Sequence, residues 1–222
     1  MGFELNSRFQ GAIFDLDGVI VDTVLLHFNA WKKMFAEYGK EFDFEAYKKK
    51  VDGISRFDGA KAILVDLPDD EIKKACDRKQ SYFLEAVESK EVPIHPYTFK
   101  LIEELKFNSI KIANISASKN CRLILRNIGA LDWMDAIVDG NDKVESKPDP
   151  AMFLLSAERL GVDPKYCVGF EDAVLGVEAV KRADMVCVGI DRYGEPERLK
   201  QADIVVSDLK EINYKKLLQF FV

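Results

Sequence analysis

Six short apolar runs, rich in β-branched residues, are the feature that most restricts how this chain can fold. Strands that are apolar along nearly their whole length suit a parallel sheet that is buried on both faces. The runs are QGAIFD (10–15), IKIANIS (110–116), AIVD (136–139), YCVGF (166–170), MVCVGI (185–190) and DIVVS (203–207). They predict a parallel sheet at the centre of the fold.

Helical patterns lie between these runs. Apolar residues recur at helical spacing, for example within residues 99–105, before the second run. A later helix is framed by Asp149 as N-cap, with Pro150 in its first turn, and by Gly161 just beyond its end. Strands that alternate with helices predict a doubly wound α/β domain.

The segment of residues 23–92 breaks this alternation. It carries helical patterns, such as Trp31 and Phe35, and no convincing central strand. We therefore expect an α/β core domain formed by residues 1–22 and 93–222, with a helical cap domain inserted into it. Ligands of open α/β sheets bind beyond the carboxyl ends of the strands, so an insertion directly after the first strand would cover the site.

Composition and charge argue against several classes of function. The net charge of −6 and the lack of a basic run argue against nucleic-acid binding. The four cysteines are far apart and form no C-x-x-C pair, so we expect reduced thiols rather than a zinc site or a disulfide framework. No stretch is long and apolar enough for a membrane span, and the start of the chain does not resemble a signal peptide. We therefore expect a cytoplasmic protein.

The stretch FDLDGVIVDT, residues 14–23, allows two interpretations. An Asp-Gly pair between apolar residues is a strong signal for a β-hairpin, here centred on Asp17 and Gly18. If QGAIFD is instead the first strand of the sheet, Asp15 and Asp17 point to the same side, because side chains at i and i+2 share a face. The stretch alone does not decide between a turn and the floor of an active site.

A second acidic pair follows another predicted strand. In GFEDAVLGVEAV, residues 169–180, Glu171 and Asp172 stand between an apolar run and a helix. Together with Asp15 and Asp17 they would form a pocket of hard oxygen ligands, which suits Mg²⁺. Alternatively, Glu171 and Asp172 are an acidic pair that stabilises the helix dipole, and the two roles are compatible.

Two other segments offer donors to a phosphate group. ISASKN follows a strand and opens a helix, so Ser116, Ser118, Lys119 and nearby backbone N–H groups would face an anion. ESKPDP presents Lys147, which the following proline holds in an extended backbone. The plainer alternatives are that the two serines are N-caps and that Lys147 is a solvated lysine.

These motifs together resemble the haloacid dehalogenase superfamily of phosphotransferases. FDLDG, a Ser-containing strand end, a Lys and a Glu-Asp pair occur in the order expected for that superfamily, over nearly the whole chain. Within it the chain is most similar to the β-phosphoglucomutase family, because HFNAW, DGISR and DRKQSY also match. It departs from the pattern at Ala173, where Ser is common, at Tyr97, where Gly is usual, and at Gln80, where Asn is familiar.

The resemblance implies a role for each candidate residue. Asp15 would be the nucleophile that forms an aspartyl phosphate, and Asp17 the general acid and base. Ser116 and Lys147 would hold the transferring phosphoryl group. The ligands of Mg²⁺ would be Asp15, the backbone carbonyl of Asp17, Glu171 and Asp172. The substrate and its second phosphate would be contacted by His27, Trp31, Gly53, Ile54, Arg56, Lys79, Ser118, Lys119 and Asn120.

The implied activity is the interconversion of β-glucose 1-phosphate and glucose 6-phosphate through a bound 1,6-bisphosphate. The expected partners are small sugar phosphates, with no nucleic acid and no membrane, and we expect a monomer. One alternative is a Mg²⁺-dependent phosphatase of a small sugar or polyol phosphate. Another is a non-catalytic sensor, although all four carboxylates of the motifs are present. Without the resemblance, His27 and Trp31 would be interpreted as a packed helix face.

Overall fold

A computed structural model describes residues 8–52, 54–89 and 92–221, which belong to two compact units. The helical unit is Asp22–Pro93, and the α/β unit contains the described residues before and after it. The helical unit is therefore an insertion in the sequence of the α/β unit, directly after its first strand.

The described residues of the helical unit form four α-helices. They are α1 (Val24–Glu37), α2 (Phe44–Lys50), α3 (Arg56–Ile63) and α4 (Asp69–Ser89). α1 and α3 both pack against α4, and the aromatic side chains of Trp31 and Phe35 lie in the apolar core between the helices. Asp69, Asp70 and Glu71 occupy the first turn of α4, where negative charge is favourable to the helix dipole. The unit thus has an apolar core of its own.

The α/β unit is built on one parallel six-stranded sheet, with the strand order β3-β2-β1-β4-β5-β6. The strands are β1 (Gly11–Asp15), β2 (Lys111–Ile115), β3 (Ala136–Val138), β4 (Cys167–Glu171), β5 (Val186–Ile190) and β6 (Ile204–Val206). All six predicted runs form strands, so the predicted parallel sheet is confirmed. Every residue of β1 and β4 is buried, which agrees with the apolar character of these runs.

The register of the sheet brings several strand ends to one edge. Phe14 pairs with Asn114 in β2 and with Phe170 in β4. The residues that follow, Asp15 and Glu171, therefore lie at the same edge as the end of β2. This is the edge at which ligands bind in open α/β sheets.

The described residues of the α/β unit also form five α-helices. They are α5 (Pro96–Phe107), α6 (Cys121–Asn127), α7 (Ala151–Leu160), α8 (Val174–Arg182) and α9 (Tyr214–Leu218). α7 begins one residue later than predicted, with Pro150 as N-cap, but the Asp149 carboxylate still accepts a hydrogen bond from the Ala151 N–H (2.9 Å). Gly161 ends α7 at φ 63°, in the left-handed region that favours glycine, as predicted.

The four cysteines, Cys76, Cys121, Cys167 and Cys187, are buried and have free thiols. In the parts of the chain that the structure describes, no helix combines the length and the apolar character needed to cross a membrane.

Candidate active site

The turn after β1 decides between the two interpretations of FDLDG. β1 pairs with parallel strands on both sides, so Asp17 and Gly18 do not join two antiparallel strands of the sheet. They belong instead to a tight turn in which the Leu16 carbonyl accepts hydrogen bonds from the N–H groups of Ile20 and Val21 (both 3.0 Å). The turn signal in the sequence is real, and the hairpin is wrong. Asp17 lies half-buried in this turn, two residues after the buried Asp15.

Gly18 allows the turn to lie close against the end of β4. Its φ is +81°, and a Cβ built on it would be 1.9 Å from the Oδ2 atom of Asp172. Only glycine suits both the backbone conformation and this close approach. The turn that carries Asp17 is therefore held beside the second acidic pair.

Glu171 is the last residue of β4, and Asp172 lies between β4 and α8. Glu171 is fully buried, and its Oε2 atom accepts hydrogen bonds from the N–H groups of Asp172 (3.2 Å) and Ala173 (3.3 Å). Gly176, in the first turn of α8, leaves room for this carboxylate, because a Cβ there would be 2.0 Å from the Glu171 Cδ atom. The acidic pair therefore sits at a helix N-terminus, as the plainer interpretation held, and also at the edge of the sheet.

Asp15, Glu171 and Asp172 form a cluster of carboxylates. One oxygen of each lies within 4.8 Å of the others, and Asp15 and Glu171 are buried. Hard carboxylate oxygens at this spacing are the donors that Mg²⁺ prefers, so the residues present fit that ion. The structure thus contains a buried acidic cluster able to hold a metal.

Lys147 supplies a positive charge to this cluster. Its Nζ atom lies 2.5 Å from Asp15 Oδ1 and also forms an ion pair with Glu171, and all three side chains are buried. Burial alone would lower the pKa of Lys147, but the charges of Asp15 and Glu171 outweigh it and raise the pKa of Lys147. The lysine is therefore fully protonated, and the interpretation of Lys147 as a solvated side chain is wrong.

The surroundings of the Asp15 carboxyl group favour its protonated form. Burial raises its pKa well above the usual range of an aspartate, the charge of Lys147 lowers it, and the charges of Glu171 and Asp17 raise it further. One ammonium group among several carboxylates leaves excess negative charge. A divalent cation at the cluster would remove this excess.

Ser116 and Ser118 lie in the loop between β2 and α6. Ser116 is buried, and its N–H donates to the Val138 carbonyl of β3 (3.0 Å). The Ser116 Oγ atom accepts from the Ser118 N–H (3.1 Å), and the Ser118 Oγ atom from the Asn120 N–H (3.1 Å). These two N–H groups are therefore bonded within the loop, and the anion contacts of Ser116, Ser118 and Lys119 remain predictions. Neither serine is the N-cap of α6, because that position belongs to Asn120. Lys119 is exposed and Asn120 is half-buried.

Three predicted residues come together inside the helical unit. Lys79 of α4 is only 3% exposed, and its Nζ atom lies 2.7 Å from Nδ1 of His27 in α1. The same ammonium lies 5.2 Å from the centroid of the Trp31 ring and 4.8 Å from that of Phe83. Trp31 is buried in the core, as the packed-face interpretation held, while His27 is half-buried.

The DGISR segment leads into α3. Ser55 is the N-cap, and its hydroxyl accepts from the Asp58 N–H (3.2 Å), so that Arg56 is the first residue of the helix. Burial lowers the pKa of the Arg56 guanidinium, with Cys76 and Asp77 acting against this effect. Ile54 is half-buried. Gly53, which was also predicted to contact substrate, lies outside the described residues.

Comparison with known proteins identifies the family. The sequence model of one protein family, the haloacid dehalogenase-like hydrolases, matches residues 9–184. This range contains both acidic pairs, Ser116 and Lys147. The chain belongs to the haloacid dehalogenase-like hydrolases.

Several known proteins are similar to the chain over most of its length. A β-phosphoglucomutase of Bacillus subtilis is 34% identical over 94% of this chain and 93% of its own. The crystal structure of a β-phosphoglucomutase from Clostridium difficile superposes with a TM-score of 0.88, at 32% identity over 96% of this chain and 97% of its own. A fructose-1-phosphate phosphatase of Escherichia coli is 31% identical over 84% of this chain and 98% of its own. The chain is thus similar both to mutases and to a sugar phosphatase.

Two polar residues near the site of this haloacid dehalogenase-like protein were not predicted from the sequence. The Arg192 Nε atom, from the loop after β5, donates to the Gly18 carbonyl (2.6 Å). Asn114 is fully buried in β2 and bonds to β1 and α6. An amide within the apolar run IKIANIS is a signal that could have singled out Asn114, whereas no local pattern marks Arg192.

Proposed function

We propose that this protein is a β-phosphoglucomutase, which interconverts β-glucose 1-phosphate and glucose 6-phosphate through β-glucose 1,6-bisphosphate. The observation that carries the proposal is the buried Asp15–Lys147 ion pair beside Glu171 and Asp172. Relatives named β-phosphoglucomutase that match over nearly the whole chain support a mutase among the possible phosphotransferases.

Asp15 is the nucleophile of the proposed reaction. Its carboxylate attacks the phosphorus of the bisphosphate and forms an aspartyl phosphate, which later passes its phosphoryl group to the next sugar phosphate. Lys147 and Ser116 hold the oxygens of that phosphoryl group. Burial raises the pKa of Asp15, and the charge of Lys147 acts against this rise, which favours the ionised carboxylate that nucleophilic attack requires.

Mg²⁺ is the proposed cofactor. Bound by Asp15, the backbone carbonyl of Asp17, Glu171 and Asp172, it would offset the negative charge on the phosphoryl oxygens. Removing one of these carboxylates should therefore weaken both metal binding and phosphoryl transfer.

Asp17 is the proposed general acid and base. In the turn after β1 it lies two residues from the nucleophile and is half-buried, so that it can exchange a proton with a sugar hydroxyl. The proton leaves the attacking hydroxyl when the sugar takes the phosphoryl group, and it returns to the leaving oxygen when the sugar gives the group up.

The helical unit is proposed to act as a cap that holds the sugar and its second phosphate. Arg56 is a half-buried cation suited to a bidentate phosphate contact. Lys79 is a buried ammonium beside His27 and Trp31. The remaining proposed substrate contacts are Gly53, Ile54, Ser118, Lys119 and Asn120.

A phosphatase of a small sugar or polyol phosphate is the second candidate, and the similarity to a fructose-1-phosphate phosphatase favours it. It would use the same Asp15 and Lys147, with water rather than a sugar hydroxyl attacking the aspartyl phosphate.

Measuring two products side by side tests the proposal. Wild-type protein with Mg²⁺ is given β-glucose 1-phosphate and a trace of β-glucose 1,6-bisphosphate, and separately other sugar phosphates, including fructose 1-phosphate. We expect glucose 6-phosphate to form much faster than inorganic phosphate is released. If the protein mainly releases phosphate from every sugar phosphate, it is a phosphatase.

A further inference from the structure

The side chain of Asn114 occupies an unusual place in the sheet. It belongs to β2, between Ala113 and Ile115, and is fully buried. An aliphatic side chain would fill such a position without a polar group that must be satisfied. A buried amide in an inner strand of an apolar sheet therefore calls for an explanation.

Both ends of this amide are hydrogen bonded. The Nδ2 atom donates to the Phe14 carbonyl (2.9 Å), and the Oδ1 atom accepts from the thiol of Cys121 (2.9 Å). The orientation of the amide follows from these partners, because a carbonyl can only accept and a protonated thiol can donate. Burial raises the pKa of Cys121, and the charges of Asp139, Asp17 and Asp15 add to this effect, so the thiol remains a donor.

The two partners of Asn114 lie at functionally separate places. The Phe14 carbonyl belongs to the peptide group that leads directly into Asp15. Cys121 is the first residue of α6, directly after the loop that contains Ser116 and Asn120. One side chain thus joins the backbone of the proposed nucleophile to the far end of the proposed phosphate-binding loop.

The rest of the loop is fixed from its other side. The Ser116 N–H donates to Val138 of β3, and Gly140 packs so closely that a Cβ on it would be 2.4 Å from the Ala117 carbonyl oxygen. β3 therefore holds the beginning of the loop, while Asn114 holds its end.

We propose that Asn114 is a positioning residue, which acts through Cys121 to set the distance between the Asp15 carboxylate and the loop of residues 116–120. This inference rests on the proposed role of Asp15 as nucleophile. It requires that loss of the amide impair the phosphoryl-transfer step more than the binding of the sugar phosphate, for which the helical unit is proposed to supply further contacts such as Arg56 and Lys79.

Asn114→Leu tests the proposal, because it keeps the approximate size of the side chain and removes both hydrogen bonds. We expect kcat to fall by about 10- to 10²-fold, the scale of a small misplacement of reacting groups, while KM for the sugar phosphate changes by less than about threefold. Ile112→Val, in the same strand and on the same side as Asn114, is the control for altered packing. It should lower Tm without lowering kcat.

Cys121 variants keep the test valid if Asn114→Leu does not fold. Cys121→Ala removes the donor and should lower kcat, whereas Cys121→Ser retains a donor and should restore it. The inference is overturned if Asn114→Leu folds with wild-type kcat, or if Cys121→Ala and Cys121→Ser have the same kcat. These comparisons can use isomerisation or phosphate release, since Asp15 attacks in both. A wild-type protein that only releases phosphate would therefore refute the mutase and leave the role of Asn114 open to this same test.

Discussion

Lys147 is the residue on which the charge balance of the acidic cluster depends. It forms ion pairs with Asp15 and Glu171, and Asp172 adds a third carboxylate within 4.8 Å of these two. The carboxylates of the cluster repel one another, and burial together with the charge of Glu171 raises the pKa of Asp15. Removing one carboxylate should therefore affect the metal-free and the metal-bound protein in opposite directions.

Asp172→Ala should leave the Tm of the metal-free protein unchanged or higher, because repulsion in the cluster is relieved. The same variant should bind Mg²⁺ at least about 10-fold more weakly, since a carboxylate ligand is lost. For the wild type, saturation at about 100 times Kd adds about 2.7 kcal/mol to the free energy of unfolding. Thermal unfolding with and without Mg²⁺ measures both effects. Asp132→Ala, at an exposed position, is the control. If Mg²⁺ raised the Tm of both variants by the same amount, Asp172 would not be a ligand of the metal.

At the scale of secondary-structure elements, the first turn of α8 leaves space for the Glu171 carboxylate. Gly176→Ala would place a methyl group 2.0 Å from the Glu171 Cδ atom. We expect it to lower the free energy of unfolding by about 1–3 kcal/mol, as overpacking does, and to weaken Mg²⁺ binding by displacing the carboxylate. Chemical denaturation and Mg²⁺ titration measure these effects.

Gly129→Ala is the matched control for this substitution. No heavy atom lies within 4 Å of a Cβ built on Gly129, and the φ of this residue is +71°. The substitution should therefore lower the free energy of unfolding by about 1 kcal/mol through backbone strain alone. Its Mg²⁺ affinity should equal that of the wild type. A Gly176→Ala protein that binds Mg²⁺ as tightly as Gly129→Ala would show that Glu171 is not a ligand.

The loop after β3 is joined to α7 by an ion pair between Asp142 and Arg159 (2.5 Å). Hydrogen bonds from Arg159 lower the pKa of Asp142, with burial acting against them. The folded state therefore binds this proton less tightly than the unfolded state, whose aspartate has a pKa of about 3.9. The resulting stabilisation is present above that pKa and is lost as the pH falls through the lower, folded-state value.

Asp142→Asn should accordingly destabilise the protein by about 1 kcal/mol at pH 7. The difference from wild type should shrink as the pH falls below about 4. Denaturation by urea at several pH values measures it. A difference that stays constant between pH 7 and pH 3 would show that the charge of Asp142 does not contribute.

Sequence patterns predicted the elements of the site better than its supporting contacts. Asp15 and Glu171 could be placed at one edge of the sheet because each directly follows an apolar run, and parallel strands share their carboxyl edge. The hydrogen bond from Arg192 to Gly18 could not be predicted, because it joins residues 174 positions apart through the tertiary fold alone. The hydrogen bonds from the N–H groups of Ser118 and Asn120 to serine hydroxyls within the loop were not predicted from the sequence.

For the whole molecule, the choice between mutase and phosphatase rests on the second phosphate of the bisphosphate. A mutase has to hold a phosphate far from Asp15, whereas a phosphatase of single phosphates does not. Arg56, which begins α3 in the helical unit, is the cation proposed for this task. The helical unit would then determine which reaction the α/β unit performs.

Arg56→Ala should lower the rate of isomerisation by about 10²-fold, the scale of a lost charge-assisted phosphate contact, and should spare slow release of phosphate. Both products are measured in one assay. Arg78→Ala removes an exposed arginine of α4 that pairs with Glu37, and it should retain the wild-type rate. Normal isomerisation by Arg56→Ala would refute this role.

The most direct test of the proposed mechanism follows one phosphoryl group through the protein. Wild-type protein with Mg²⁺ and a trace of β-glucose 1,6-bisphosphate is given β-glucose 1-phosphate that carries a radioactive phosphate. The label should appear covalently on Asp15 and then in glucose 6-phosphate, with little inorganic phosphate, and Asp15→Asn should acquire no label. Label that never attaches to Asp15, or that passes from Asp15 chiefly into inorganic phosphate, would contradict a phosphoglucomutase that works through an aspartyl phosphate.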